Sequence, residues 1–392
     1  MPQHDFGAMH AAMQRHVDGE ILPGISSAIL RGREVVDRHC TGWADREAKL
    51  PLREDHIFRA FSNTKLVTAI AVMQLVEDGR LGLDDPVERT VPQLANRRVL
   101  RPGATHLDDT EPAVQPITIR HLLSHSAGLG YGFLDPEAPL SKAYARAQVL
   151  SPATTLAAMM EALAPLPLLF QPGSSWTYSV ASDVLSRVVE VVSGEAFDRC
   201  IRRRILDPLG MVDTGFVVPH DKQDRLTAFY AGASLLDPRK PGLTPLPDAP
   251  WPGAYLRPVP RLAGGSGLVT TLPDMVALLR ALLPDGPTIL APQTLAEMMR
   301  NQLPAGCPIR FNLGDVPGKG FGLGGAVTLK PSSIDPPGAE GEFQWGGVAG
   351  THWWISPQTG TAGVLMTQRQ MSFWHPFFFE IKALATRAAI TA

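Results

Sequence analysis

Ser62-Asn63-Thr64-Lys65 is an S-x-x-K tetrapeptide placed directly ahead of residues 66–76, a run that is apolar nearly all round. Such a run fits a helix buried on every side. A serine at the start of that helix has backbone N–H groups and the positive end of the helix dipole beside its oxygen, and a lysine three residues on lies one turn away on the same face. Lost hydration pushes a lysine in such a place towards its neutral amine, a base able to take the serine proton. The chemistry predicted is nucleophilic attack by Ser62 with Lys65 handling its proton. The competing reading is a serine cap followed by a solvated lysine, which the apolar helix behind it makes hard to accommodate.

Two further segments could complete such a site. Tyr178 follows the Pro172-Gly173 turn and a short extended run and precedes a long amphipathic helix, so a loop can deliver its phenol to a cleft. A phenol can shuttle protons when a neighbouring ammonium stabilises its phenolate, although a tyrosine at a helix entry is more often a packing residue. Gln344-Trp345-Gly346-Gly347-Val348 is a strand pattern broken by two glycines, which implies close approach of another group to the backbone. A substrate acyl group there would meet the N–H groups of Ser62 and Val348 as an oxyanion hole; a bulge or tight packing is the alternative. Tyr131, Trp176 and Trp345 are candidates for lining an apolar acyl or alcohol pocket, with core packing as the competing account.

The elements that must position these groups can be read along the chain. Its 392 residues suggest two or three lobes, and 44% hydrophobic with 19% charged side chains excludes a disordered or fibrous chain. Alternating and β-branched runs predict strands at 25–31 and 34–40, a hairpin turning at Gly32, and again at 341–348, 352–356 and 361–367. Helical spacing marks 64–78, 118–124, 152–163, 181–193, 197–206 and 376–389. The fold class expected is α/β (α+β): an antiparallel sheet flanked by helices, with a mainly helical lobe inserted. The sheet lobe is assigned to 1–65 and 255–392, and the helical lobe to 66–254. The helical lobe ends in a connection with eight prolines between Pro238 and Pro260.

Several function classes drop out. Thirty-six basic against 38 acidic side chains give a net charge of −2 with no basic block, so no nucleic-acid partner is expected. The three cysteines, Cys40, Cys200 and Cys307, have no C-x-x-C spacing, which points away from zinc and redox pairs and towards a reducing, cytoplasmic setting. No leader pattern stands at the N-terminus and no long apolar stretch occurs, so no membrane association is expected. His121 and His125 have the i, i+4 spacing of metal ligands but lack the Glu of H-E-x-x-H. Residues 320–325 match G-x-G-x-x-G without a preceding strand and a following helix, and read better as a glycine-rich strand. No G-x-S-x-G elbow is present, against an α/β-hydrolase triad.

Ser-x-x-Lys, then Tyr-Ser, then a glycine-containing strand is the order that resembles the serine β-lactamase and penicillin-binding protein group. More narrowly, the chain resembles the family VIII carboxylesterases, relatives of class C β-lactamases. The resemblance rests on residues 58–65, Leu122-Leu123-Ser124-His125-Ser126-Ala127-Gly128-Leu129, Pro172-Gly173 with Tyr178-Ser179, Pro208-Leu209-Gly210-Met211, Gly264-Gly265-Ser266-Gly267-Leu268 and Trp345-Gly346-Gly347. It implies Ser62 as nucleophile, Lys65 and Tyr178 as the proton-handling pair, Ser62 and Val348 as oxyanion donors, and no metal or cofactor. Trp345-Gly346-Gly347 stands where lactamases carry Lys-Thr-Gly, and Tyr178-Ser179-Val180 where class C lactamases carry Tyr-x-Asn. Loss of that cation and that amide favours a small uncharged carboxylic ester over a lactam or peptide, with Trp345, Gly346, Gly347 and Tyr131 facing it. An amide-directed relative, an acyltransferase and a non-catalytic binding module on the same scaffold are the other readings. Oligomeric state leaves no trace in the residues.

Overall fold

The computed structural model describes residues 4–391 apart from 133, 312, 313 and 374, so Met1–Gln3 of the stretch read for a leader lie outside the described residues. Its centre is an eight-stranded antiparallel sheet built from both ends of the chain. The strands are β1 (Gly24–Arg31), β2 (Glu34–Asp45), β3 (Leu50–Pro51), β4 (Lys319–Phe321), β5 (Ala326–Thr328), β6 (Phe343–Gly346), β7 (His352–Ser356) and β8 (Thr361–Met366). Their order in space is β4-β5-β6-β7-β8-β1-β2-β3. The predicted hairpin is β1–β2, with Gly32 at a φ of +53° that glycine adopts without steric cost. The two ends of the chain meet at β1–β8, where Ser26 lies opposite Met366 and Arg31 opposite Thr361.

Five helices matter for the site: α1 (Gly7–Asp18), α2 (Thr64–Glu77), α3 (Ala181–Ser193), α4 (Leu272–Arg280) and α5 (Pro376–Ile390). Side chains alternate across the sheet. Ile25, Ile29, Trp354 and Leu365 pack against α1 and α5, through residues such as Met13, Phe377 and Ile381. Ala28, Leu30, Trp353, Ile355 and Val364 turn the other way, into one continuous core shared with α2, α3 and α4. Nearly all of α2, from Thr64 to Met73 and at Leu75, is buried, as its unbroken apolar sequence predicts.

Departures from the sequence reading are local. The helix expected from 152 starts at Leu156, because the Thr155 side chain accepts from the Ala158 N–H and caps it. The helix expected over 197–206 is α-helical over Phe197–Ile201 and then widens to a π-turn at Arg202–Leu206. The glycine-rich stretch at 320–325 is a hairpin rather than one strand: β4 stops at Phe321, Gly324 turns at a φ of +99°, and β5 begins at Ala326. Apolar spacing did not single out α1, whose buried residues are only Met9, Ala12 and Met13, nor α4. The proline-rich connection holds one short strand, Leu243–Pro245, and otherwise turns and bends. Among the described residues no helix is long and apolar enough to cross a membrane.

Candidate active site

Ser62 lies in a tight turn, Phe61–Asn63, that feeds directly into α2. Phe61 has a φ of +45°, a conformation costing roughly 1–3 kcal/mol for a non-glycine residue. Packing holds it there: the ring is buried with Phe229 and Ala349 and meets Tyr255 edge-on. A two-residue pairing of Phe58–Arg59 with Val269–Thr270 lays the segment before residue 270 along the start of α2. The Ala60 N–H donates to Leu268 O at 2.9 Å, and the Leu268 N–H to Thr64 Oγ1 at 3.1 Å. Consequently Thr68 Oγ1 reaches Gly264 O at 2.8 Å and Lys65 Nζ reaches Gly265 O at 2.7 Å.

Tyr178 arrives from a segment stitched to the 125–130 loop. Leu169, Gly173, Thr177 and Val180 donate their N–H groups to the carbonyls of Gly128, Ser126, His125 and Gly130. The phenol ends 2.6 Å from Ser62 Oγ, and Lys65 Nζ donates to the same oxygen at 3.3 Å. Lys65 Nζ also sits 4.5 Å from the centre of the Tyr178 ring and 5.4 Å from that of Tyr131, so aromatic faces stabilise its charge. The Tyr131 ring stacks on Tyr178 at 5.3 Å, and the Trp345 indole N–H donates to the Tyr178 oxygen at 3.3 Å. Burial, and then Asp183, hold the Tyr131 phenol well above its ordinary pKa, so it stays neutral.

The two glycines after Trp345 do mark a close approach, and the approaching groups are the protein's own: the Ala60 carbonyl and the side chains of Thr351 and His352. A Cβ on Gly347 would lie 2.4 Å from Thr351 Oγ1 and 2.5 Å from Ala60 O, and one on Gly346 2.4 Å from His352 Nδ1. The end of β6 is thereby set against the turn that carries Ser62, with Val348 packed beside Phe61. Among the described residues neither the Ser62 nor the Val348 N–H donates to another group, which leaves both available to a ligand oxygen.

The two histidines with metal-like spacing separate. His121 closes a capping box with Thr118, whereas His125 is buried 3.0 Å from Ser179 Oγ with its ring 4.9 Å from Tyr178. Burial, reinforced by Lys65, holds His125 well below its ordinary pKa and therefore neutral. The remaining walls are aromatic: Trp176 meets Phe311 at 5.3 Å and Phe321 at 5.6 Å, and Phe373 meets Trp345 at 4.9 Å. An apolar pocket lined by Ile309, Val316, Phe373 and Phe378 opens beside Trp345.

One group escaped the sequence reading. Asp183 on α3 is 2% exposed, and its Oδ1 has no hydrogen-bond partner among the described residues. Burial pushes its carboxyl pKa up, while Arg261 and Lys65 pull it down. Its signal in the sequence is an acid set among the buried positions Val184, Leu185, Val188 and Val189 of an amphipathic helix.

Comparison with known proteins places this arrangement. The β-lactamase family model matches residues 9–375. Esterase EstB of Burkholderia gladioli is 35% identical over 364 residues, covering 88% of this chain and 86% of that protein. The lovastatin esterase of Penicillium rubens is 34% identical over 336 residues, covering 81% of this chain and 80% of that one. Among solved structures, EstCE1, described as a hydrolase with promiscuous acyltransferase activity, superimposes with a TM-score of 0.82 at 29% identity and 97% coverage of both chains. The helix-flanked antiparallel sheet expected from the sequence is the fold these proteins share.

Proposed function

Because this chain belongs to the β-lactamase family of serine hydrolases and has esterases among its relatives, we propose that it is a carboxylesterase that forms an acyl-enzyme on Ser62. The observation that carries the reading is the meeting of Tyr178 OH and Lys65 Nζ on Ser62 Oγ, at 2.6 and 3.3 Å. Ser62 Oγ attacks the ester carbonyl as its proton passes to the Lys65–Tyr178 pair. The N–H groups of Ser62 and Val348 receive the oxyanion. The pair then protonates the leaving alkoxide and afterwards takes a proton from the water that releases the acid, which restores Ser62. The aromatic walls and the pocket beside Trp345, whose one lining lysine among the described residues, Lys319, is already paired with Asp335 at 2.6 Å, support a small uncharged ester as substrate. A cytoplasmic setting belongs to the same reading and rests on three unpaired cysteines.

Hydrolysis of p-nitrophenyl acetate by wild type and Ser62→Ala tests this, with a chromogenic cephalosporin run in parallel. The variant should lose about 10³-fold or more in kcat, and the ester should be turned over far faster than the lactam. Equal ester rates for the two proteins would remove Ser62 as nucleophile. A second reading, acyl transfer to an alcohol, is favoured by the activity described for EstCE1, and added butanol should then yield a butyl ester at the expense of acid.

A further inference from the structure

Four segments converge on Gly265. A Cβ placed there would lie 2.7 Å from Asp183 Oδ2, 3.2 Å from Tyr131 OH and 3.4 Å from Lys65 Nζ, so only glycine lets these groups share the space. The residue joins the two charges. Its N–H lies beside the Asp183 carboxyl and favours its charged form, and its carbonyl accepts from Lys65 Nζ at 2.7 Å. The charges that act on Asp183 are Arg261, from the end of the proline-rich connection, and Lys65 from α2; Asp183 in turn acts on Tyr131, which also faces Tyr178, Arg261 and Tyr255, and Lys65 acts on His125. Among the described residues this buried acid has Oδ1 without a hydrogen-bond partner, and it stands one residue, Gly265, away from Lys65 Nζ. Its charge acts on Arg261 and, across Gly265, on Lys65.

Resting on the reading of Ser62, Lys65 and Tyr178 given above, we infer that Asp183 is a positioning residue. Through Gly265 it holds Lys65 in place, and its negative charge sets the pH at which the Lys65–Tyr178 pair gives up its proton. Removing a negative charge beside an ammonium and a phenol eases loss of the proton from either. The ascending limb of activity against pH should then move down.

The experiment follows two pH profiles for wild type, Asp183→Asn and Asp183→Glu: kcat/KM on p-nitrophenyl acetate, and the rate at which a fluorophosphonate labels Ser62. Circular dichroism confirms folding in each case. In Asp183→Asn the ascending limb should shift down by roughly 1 pH unit in both profiles. Asp183→Glu, which keeps the charge, should return the limb to the wild-type position whatever its effect on kcat, and it serves alone if the amide variant does not fold. Superimposable limbs for wild type and Asp183→Asn, or a limb for Asp183→Glu displaced as far as a neutral variant's, would overturn this inference alone. Failure of the wild type to label at any pH would overturn the esterase reading and this inference with it.

Discussion

Lys65 and Lys382 are both buried, at 2% and 0% exposure, and they face opposite sides of the same strand. Within β6 the neighbours Gln344 and Trp345 point to opposite faces, Gln344 to Lys382 and Trp345 to Tyr178. On α5, Lys382 meets Glu342 at 2.6 Å with Gln344 at 3.3 Å, and Ser356 Oγ donates to the other Glu342 oxygen at 2.7 Å. Its charge is fully matched. Lys65 has instead a carbonyl, a serine hydroxyl and two ring faces. A matched buried pair is locked by its own contacts, whereas Lys65 is touched directly only by dipoles and π-faces, with the Asp183 carboxyl one residue further off. Two buried lysines thus differ in kind: Lys382 is closed into an ion pair, and Lys65 is the one to which the proposed function gives chemistry.

Substitution by methionine should separate them most widely. Lys65→Met is expected to lower kcat by about 10²–10⁴-fold while leaving the urea midpoint close to that of wild type. Lys382→Met should do the reverse, stranding Glu342 and costing about 3–5 kcal/mol of stability while kcat per folded molecule holds. Urea titration and active-site counting of both variants check this, and a matching pattern of loss would erase the distinction.

Acid should weaken the structural side. Burial depresses His352 to about 3 and His375 to about 4, so the unfolded chain binds protons that the folded one refuses. Stability is complete above the ordinary histidine value and declines as pH falls from about 6.5 towards 4, by up to about 1.4 kcal/mol per pH unit for each histidine. Denaturant unfolding at pH 7 and pH 5 measures it, and equal stability at both would refute it. Trp345→Phe makes the smallest change, removing the indole N–H from the Tyr178 oxygen while keeping an aromatic wall. The expected result is a 3- to 10-fold loss in kcat, about 1 kcal/mol, at unchanged stability.

How much of this the sequence discloses depends on how local the cause is. The β1–β2 hairpin, the buried α2 and Ser-x-x-Lys are written in consecutive residues, and each stands where periodicity and motif put it. Tyr178 and Trp345 could be nominated, yet no spacing tells that an indole N–H meets a phenol 167 residues away. The carbonyl that fixes Lys65 belongs to a residue 200 positions later, and the partner of Lys382 lies 40 positions earlier. Asp183 was hidden for a different reason. An acid in the first turn of a helix is ordinarily read as a solvated or dipole-facing residue, and only tertiary packing buries this one.

The joining of β1 to β8 also bears on how the molecule comes into being. A ribosome releases Ser62 and Lys65 early, Tyr178 midway, Gly265 later and Trp345 near the end, and β1 waits for residues 361–366 before its second edge is covered. Pairings this distant are slow to form, and an open strand edge in the meantime invites association with other chains. A polypeptide stalled before residue 361 would carry Ser62 in an unfinished fold. The groups that meet at Ser62 therefore come together only in the finished fold, and the edge of β1 stays open for as long as residues 361–366 are missing.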